Sequence, residues 1–501
     1  MEALAHAGRS RHVAESRVVG RAARRSADCV ARLATERRRP SSAGARSSLR
    51  SLPWALLLGA AALGCSGHSA KTLEARQALD AGRPQRALAL YNEALDVEDA
   101  KELPEDLEGD AALLLLDRAM VLQQLHDYQL SSRDLQIADK QIEMLDFSRS
   151  AVDDIGKYVF SDDTGPYRAP PYEKLMVNTM NMVNYLAKGD LNGARIEARR
   201  LAVMQKYLRD HDDAAVAMNA PGSYFAGFVF EKSGRADEAL RYYDEALQHG
   251  TFPSLAEPVR RLSTRSSYST PRLRKLLEQF PAEPESTATA TTEDEAAAAA
   301  AELLVVINYG RVPAKVAARV PIGLALTYAS GALGAGDAAR ANRLAAQGLV
   351  TWVNYPELEK QRRPLRRPSF SVDGRWQRLE GALAVDEAAR KAFEAHRGAI
   401  VASAITRMIT RVVAGEATRA AAGRDSLIGV LLSLGTQAAL TAADTPDTRS
   451  WATLPARIAI GRVSLPPGKH RVVLQAQNTH RRTQVDLKPG GWAVLVLTVL
   501  E

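Results

Sequence analysis

Residue patterning predicts an α+β chain: an N-terminal α-solenoid of stacked helix pairs, then a mixed, β-rich domain with inserted helices. Three observations carry this. Between residues 70 and 250 one arrangement of small and large residues recurs in four windows. Residues 281–301 hold Pro, Ser, Thr, acids and an Ala tract, and no large apolar side chain. Beyond 302 the apolar period shortens to that of strands.

The first 64 residues stand apart. SLPWALLLGAAALGC (Ser51 to Cys65) follows Arg46 and Arg50, runs apolar from Leu52 to Leu63, and places Gly64 before Cys65. A charged start, a short apolar stretch and a small residue before Cys is the layout of a lipoprotein signal. The stretch falls short of the ~20 residues that a bilayer span needs. Cys65 is therefore the expected lipidation site, and acyl chains on it would tether the chain to a membrane. Ala62 departs from the Leu most common three positions before such a Cys. Ser66 is not acidic, which by resemblance to known sorting favours the outer membrane. Signals usually run to about 30 residues, so either translation starts downstream, near Val30 or Leu33, or residues 1–50 form a disordered basic region.

Charge excludes one class of partner. The chain has 66 Lys and Arg and 58 acids; residues 1–64 hold twelve Arg and four acids, leaving 54 of each sign from Cys65 onward. A neutral mature chain has no electrostatic footprint for nucleic acid. The two cysteines are Cys29, in the leader, and Cys65. With Cys65 acylated, no thiol remains for a disulfide or a metal.

The helical region (65–280) shows its pattern best in FAGFVFEKSGRADEALRYYDEAL (Phe225 to Leu247). Gly234 makes a turn; Ala239, Tyr243 and Ala246 share a face of the second helix. Ala239 lets the helices approach, and Tyr243 fills the gap beyond. GRPQRALALYNEAL repeats this with Gly82, Ala87, Tyr91 and Ala94, and YLAKGDLNGARIEAR with Tyr185, Gly189, Ala194 and Ala198. LQQLHDYQLSSRDLQIAD is a worn copy around His126. The pattern resembles the tetratricopeptide repeat, though Gly82, His126, Gly189 and Gly234 are 44, 63 and 45 residues apart. The insertion SDDTGPYRAPPYEK (Ser161 to Lys174) reads as a surface loop. Stacked pairs form a groove suited to a peptide or a partner helix. Tyr185, Tyr224, Phe228 and Tyr242 are its candidate binding residues, with packed core as the alternative reading of each.

Arg272 to Phe280 reads as a last short helix. After the linker at 281–301, the domain at 302–501 opens with a strand at Leu303–Tyr309, a turn at Gly310 and Pro313, and a strand at Ala314–Val320. ALTYASGALGAGDAARANRLAAQGL resembles another helix pair. Gly348–Pro356 is strand-like, and SFSVDGRW gives a strand and a turn at Asp373–Gly374. EKQRRPLRRP is a basic, proline-broken loop: a polyanion site or a solvated loop. Helices are expected over about 385–443. One is amphipathic through Ile400, Val401, Ala404, Ile405, Met408 and Ile409. Ser426–Leu440 is apolar all round, hence a buried core helix or a segment entering a membrane or partner. ARIAIGRVSL, HRVVLQAQ and LKPGGWAVLVLTVL are three strands joined by Pro/Gly turns. SLPPGKHRVVLQA resembles the PEGA-type β motif, an envelope module.

DRAMVLQQLHDYQLSSRDL (Asp117 to Leu135), PYEKLMVNTMNMVNYLAKGDLNGARIEARR (Pro171 to Arg200), LLVVINYGRVPAKV (Leu303 to Val316) and DTRSWATLPARIAIGRVSLPPGKH (Asp447 to His470) together resemble a family of proteobacterial envelope lipoproteins. That resemblance implies an exported protein with tetratricopeptide-like repeats and a β-rich C-terminal part, and it hands over no catalytic residue. HExxH, GxSxG, P-loop and GxGxxG-plus-acid motifs are absent. His211-Asp212-Asp213 is the tight His/acid cluster, a metal site or a solvated helix end. The expectation is a scaffold without cofactor or metal. It would sit on the periplasmic side of the outer membrane, meeting an envelope protein through the groove and the membrane through its lipid. An envelope hydrolase or transferase with its site in the C-terminal domain, and a membrane-inserting assembly component acting through 400–440, are the competing expectations.

Overall fold

The computed structural model describes residues 67–107, 109–142, 167, 169–209, 218–281, 300–348, 350, 352–360, 364–421 and 446–501. Cys65, the segment 282–299, the His211 cluster and Ser426–Leu440 lie outside the described residues. Everything described belongs to one compact unit.

Among the described residues four helix pairs come first. They are α1 (Leu73–Asp80) with α2 (Pro84–Ala94), α3 (Ala111–Gln124) with α4 (Tyr128–Gln141), α5 (Pro171–Ala187) with α6 (Leu191–Leu208), and α7 (Ala220–Lys232) with α8 (Ala236–His249). Each pair turns on one left-handed residue: Gly82 (φ +65°), His126 (+65°), Gly189 (+73°) and Gly234 (+74°). These are the four equivalent positions of the sequence pattern. Glycine takes this conformation freely, and His126 is the exception. In the two pairs where Asp follows, Asp127 and Asp190 cap the second helix, accepting from Leu130 N at 3.0 Å and Gly193 N at 2.9 Å. Small residues admit large ones: a Cβ at Gly193 would lie 2.2 Å from the Tyr185 ring, and one at Gly227 2.4 Å from Tyr243. Two shorter helices, α9 (Ala256–Ser263) and α10 (Pro271–Gln279), end the array.

Among the described residues the β part forms three sheets. The strands are β1 (Ala301–Arg311), β2 (Lys315–Pro321), β3 (Trp352–Leu358), β4 (Ser369–Val372), β5 (Arg375–Gln377), β6 (Glu380–Ala384), β7 (Pro455–Leu465), β8 (Gly468–Ala476), β9 (Thr479–Leu487) and β10 (Trp492–Val499). The first sheet has the order β10-β1-β7-β6, with β1 parallel to β10 and antiparallel to β7. The second has the order β5-β4-β8-β9. The β2–β3 pair stands separately, packed on the long helix α13 (Val385–Ala421) with α11 (Ile322–Tyr328) and α12 (Ala335–Ala346).

Alternation along β1 explains the layering. Leu304 and Val306, with Ile458, Ile460, Val494 and Val496, join the core of the helices. Leu303, Val305 and Ile307, with Ala459, Leu497 and Val499, meet Phe370, Val372, Val472 and Leu474 of the second sheet. Buried on both sides, β1 reads as a continuous apolar run. The order is therefore helices, first sheet, second sheet. The first helices of the pairs, α3, α5 and α7, are buried over almost their whole length, because the first sheet lies against them. The groove of the solenoid is occupied by the chain itself.

Several expectations change. The strands expected at 303–309 and 314–320 are both present, and each finds its partners elsewhere: β1 joins β7 and β10, and β2 pairs with β3. The C-terminal tail holds four strands, not three. The apolar period does not show β9, because Arg481 and Thr483 stand on its inward phase beside Leu474 and Val472 of β8. The inserted loop ends in the core: Tyr167 and Ala169 are buried. The amphipathic helix and the Asp373–Gly374 turn are found as expected, the turn with φ of +50° and +81°.

Gly234→Ala should destabilise the chain by about 1–2 kcal/mol through backbone conformation alone, since nothing lies within 4 Å of the new Cβ. Gly227→Ala, in the middle of α7, should also destabilise, despite the better helix propensity of Ala, because the Tyr243 ring fills that space. Urea denaturation measures both. A Gly227→Ala chain as stable as the parent would contradict the close approach of α7 and α8.

Candidate functional site

The four aromatic residues expected to line the groove separate into two environments. Tyr224 and Phe228, on α7, are wholly buried. Tyr224 meets Phe225, Tyr243 and Phe252 edge-on, and its hydroxyl pairs with Ser254 Oγ at 2.9 Å. Phe228 stands edge-on to Trp492 of β10 at 5.7 Å, with Lys232 and Arg462 each 5.1 Å from its ring centre. Both face the chain's own sheet and are wholly buried, which is the packed-core alternative for these two. Tyr185 and Tyr242 are half-buried. The Tyr185 hydroxyl accepts from Gln136 Nε2 at 2.6 Å, and Lys188 Nζ lies 4.4 Å from its ring. Tyr242 stacks on Phe230 at 5.2 Å; burial and then Glu245 push its hydroxyl up to about 12. These two fill crevices between helices. Cys65 lies outside the described residues.

What the structure brings together instead is a set of polar pins between the helices and the first sheet. At one end of the sheet, β-register places Glu302 and Arg462 on the helix-facing side. Arg462 donates to both carboxylate oxygens of Glu231 at 2.8 Å, to the Tyr243 hydroxyl at 3.0 Å and to Glu302. Tyr243 donates to Glu231 at 2.5 Å, and Lys232 pairs with Glu302. Burial alone would raise the Glu231 and Glu302 carboxyls, but Arg462 and Lys232 hold both below the ordinary range. At the other end, Asn308 and Thr498 donate to Gln123 Oε1 at 3.1 and 2.8 Å, and Gln123 Nε2 donates to Asn184 at 2.9 Å. A third pin joins Asp117 of α3 to Thr453, through N–H at 3.0 Å and Oγ1 at 2.8 Å.

The sequence carried a signal for these groups that apolar counting missed. Asn308 interrupts LLVVINYG and Arg462 interrupts IAIGRV, each at a position whose alternation points inward. A polar residue on the buried phase of a strand requires a partner on whatever covers that face.

A cleft of about 130 Å³ opens beside α13, lined by Tyr172, Phe393, Ile400, Leu358, Trp451 and Glu173 among others. Glu173 is buried and raised by desolvation, then lowered in part by hydrogen bonds from Tyr167 and the Trp451 N–H. Three donors already engage it: Tyr167, Tyr172 and Trp451 N. Its role in this geometry is to tie the 167–171 segment to Trp451. Among the described residues no three His, Cys, Asp or Glu side chains group closely enough to hold a metal, and no helix is long and apolar enough to cross a membrane. No protein-family model and no curated protein matches the chain.

Arg462→Leu should cost about 3–5 kcal/mol, because it strands two buried carboxylates. The acid limb has a definite sign. With folded values below the unfolded value of 4.5, Glu231 and Glu302 stabilise the fold above that pH, and the contribution disappears as pH falls through and below it. Thermal melts between pH 7 and 3 should show a steep decline below about pH 4.5. That decline should flatten in Glu231→Gln/Glu302→Gln.

Proposed function

We propose that the chain is a non-enzymatic, protein-binding scaffold of the cell envelope, acylated at Cys65 and held on the periplasmic side of the outer membrane. The observation that carries the scaffold reading is the array of helix pairs braced along its length by the chain's own sheet. A frame held by buried pins keeps its shape under load, which suits presentation of a surface more than turnover. The resemblance to proteobacterial envelope lipoproteins and the layout around Cys65 support the location.

Because the first sheet covers the inner helices, the partner meets the outer ones. Ile196 and Val203 support this choice: they lie two turns apart on α6 and are 52 % and 62 % exposed. Such exposure of two aliphatic side chains on one face is what a protein interface covers. Arg199 and Arg200 lie between them, also exposed, so the face combines an apolar stripe with charge.

Two measurements test the reading separately. Cells expressing Cys65→Ala should release the protein from the membrane fraction, and radiolabelled palmitate should label the parent but not the variant; label in both sinks the anchor. A photoreactive residue at 196 or 203 should give a discrete protein adduct in intact cells, and Ile196→Glu/Val203→Glu should reduce recovery of that partner at least tenfold. An adduct obtained only from positions on α7 would return the interface to the inner face and overturn the reading.

A further inference from the structure

Charge is segregated within a balanced chain. Residues 364–379 and 466–488, which build the second sheet and its turns, carry nine Lys and Arg against two acids, Asp373 and Asp486. Since 54 bases and 54 acids balance from Cys65 onward, this layer is strongly basic and the remainder correspondingly acidic. All of the nine except Arg481 are exposed. Among the described residues none of those eight makes a direct side-chain ion pair; Asp486 lies opposite Lys469, Glu380 feels the charge of Arg378, and Asp373 is taken by His470 at 2.7 Å and by the Arg471 N–H at 2.8 Å.

The side of the second sheet turned away from the core carries alternate residues of its strands. Phe370, Val372, Val472 and Leu474 point inward and are buried. One row on this side runs Trp376, Ser371, Val473, Arg482 across β5, β4, β8 and β9; its ends, Trp376 and Arg482, are exposed, whereas Ser371 is buried and Val473 half-buried. The neighbouring outward pairs are Gln475 with His480, Arg471 with Gln484, and Lys469 with Asp486. Trp376 is 67 % exposed. A tryptophan this exposed stands on a face where cations outnumber acids.

We propose that this face docks on an anionic lipid surface, with Trp376 among the headgroups and Lys469, Arg471 and Arg482 over the phosphates. Indole is at home at a headgroup boundary, apolar in body and polar at its N–H. Each Lys or Arg near an anionic leaflet strengthens binding about fivefold. A strand of nucleic acid would call for several stacking aromatics, whereas this sheet face carries one protruding ring. The layer order then fixes the outcome: the second sheet lies down, and the helices on the far side of the first sheet face away from the membrane. This extends the anchored-scaffold reading but does not need the acyl group.

The test uses the full chain carrying Cys65→Ala, so that loss of the anchor and loss of this contact are distinguishable. Co-sedimentation is measured with vesicles of phosphatidylethanolamine containing a minority of phosphatidylglycerol, and with vesicles of phosphatidylcholine. The leader's own arginines are identical in every variant, so differences report the sheet. Arg471→Glu/Arg482→Glu should weaken binding to the anionic vesicles by roughly tenfold or more with the melting temperature unchanged. Arg83→Glu/Arg86→Glu, the same charge change on α2, should leave it within about twofold. Quenching of tryptophan fluorescence by brominated lipid should drop in Trp376→Ala. The proposal is overturned if the α2 control weakens binding equally, if phosphatidylcholine vesicles bind as well, or if soluble polyglutamate binds as tightly with the same dependence on Arg471 and Arg482.

Discussion

The burial of one sheet face against the inner helices is the constraint from which the rest of the fold follows. The centre of that face is aliphatic: Leu304, Val306, Ile460, Val494 and Val496. Its ends are polar, with Arg462 and Glu302 at one end and Asn308 and Thr498 at the other. The aliphatic centre supplies the driving force, roughly 25 cal/mol for each Å² of apolar surface withdrawn from water, but it would accept the sheet in more than one position. The polar ends do not. Sliding the sheet along the helices would separate Arg462 from Glu231 and Asn308 from Gln123, leaving charges and amides buried without partners. Slipping β1 by one residue would turn Leu303 and Val305 toward the helices and both pins toward the second sheet. The pins contribute little net energy when made and cost several kcal/mol when broken. Their effect is to select one register.

That division of labour explains what could be read from the sequence. The helix pairs were legible because their turns are local: one left-handed residue, filled by glycine in three copies of four, with a small residue five positions after the glycine of each of those three copies. The strands were mostly legible one by one, since alternation and Pro/Gly turns are local too. Their partners were not. β1 pairs with β10 about 190 residues later, and nothing near Leu303 announces Ala493. β9 was missed because its neighbour β8 supplies most of the inward apolar surface, so its own residues could be polar.

The groove aromatics illustrate a deeper limit. Tyr224 and Phe228 lie on the inner face of α7, where the sequence places them correctly. Whether such residues meet another molecule or a later part of the same chain is a matter of what else folds onto them, and their own identity is the same in both cases. Polar residues are more informative here. An arginine on the inward phase of β7 needs a specific counterpart, and Glu231 on α7 is a buried acid in need of one. Reading the two lists of misplaced polar residues against each other would have indicated that the sheet belongs in the groove.

A groove filled from within also bears on how a partner could be held. To enter it, a peptide would have to displace a four-stranded sheet whose removal exposes Glu231, Gln123 and Asp117 together, each now paired. With several kcal/mol at stake at each pin, a competitor would have to bind the emptied groove many orders of magnitude more tightly than ordinary peptide recognition allows, since each 1.4 kcal/mol is a factor of ten in affinity. Exchange of that kind is ruled out on magnitude. Among the described residues, two of the surfaces that remain open are the outer helices and the outward side of the second sheet. They lie on opposite sides of the first sheet and differ in character, one an aliphatic stripe on α6 and the other a basic face with a single tryptophan. A rigid slab with two unlike faces can engage two unlike neighbours at once, and the buried layer between them keeps those faces at a fixed separation.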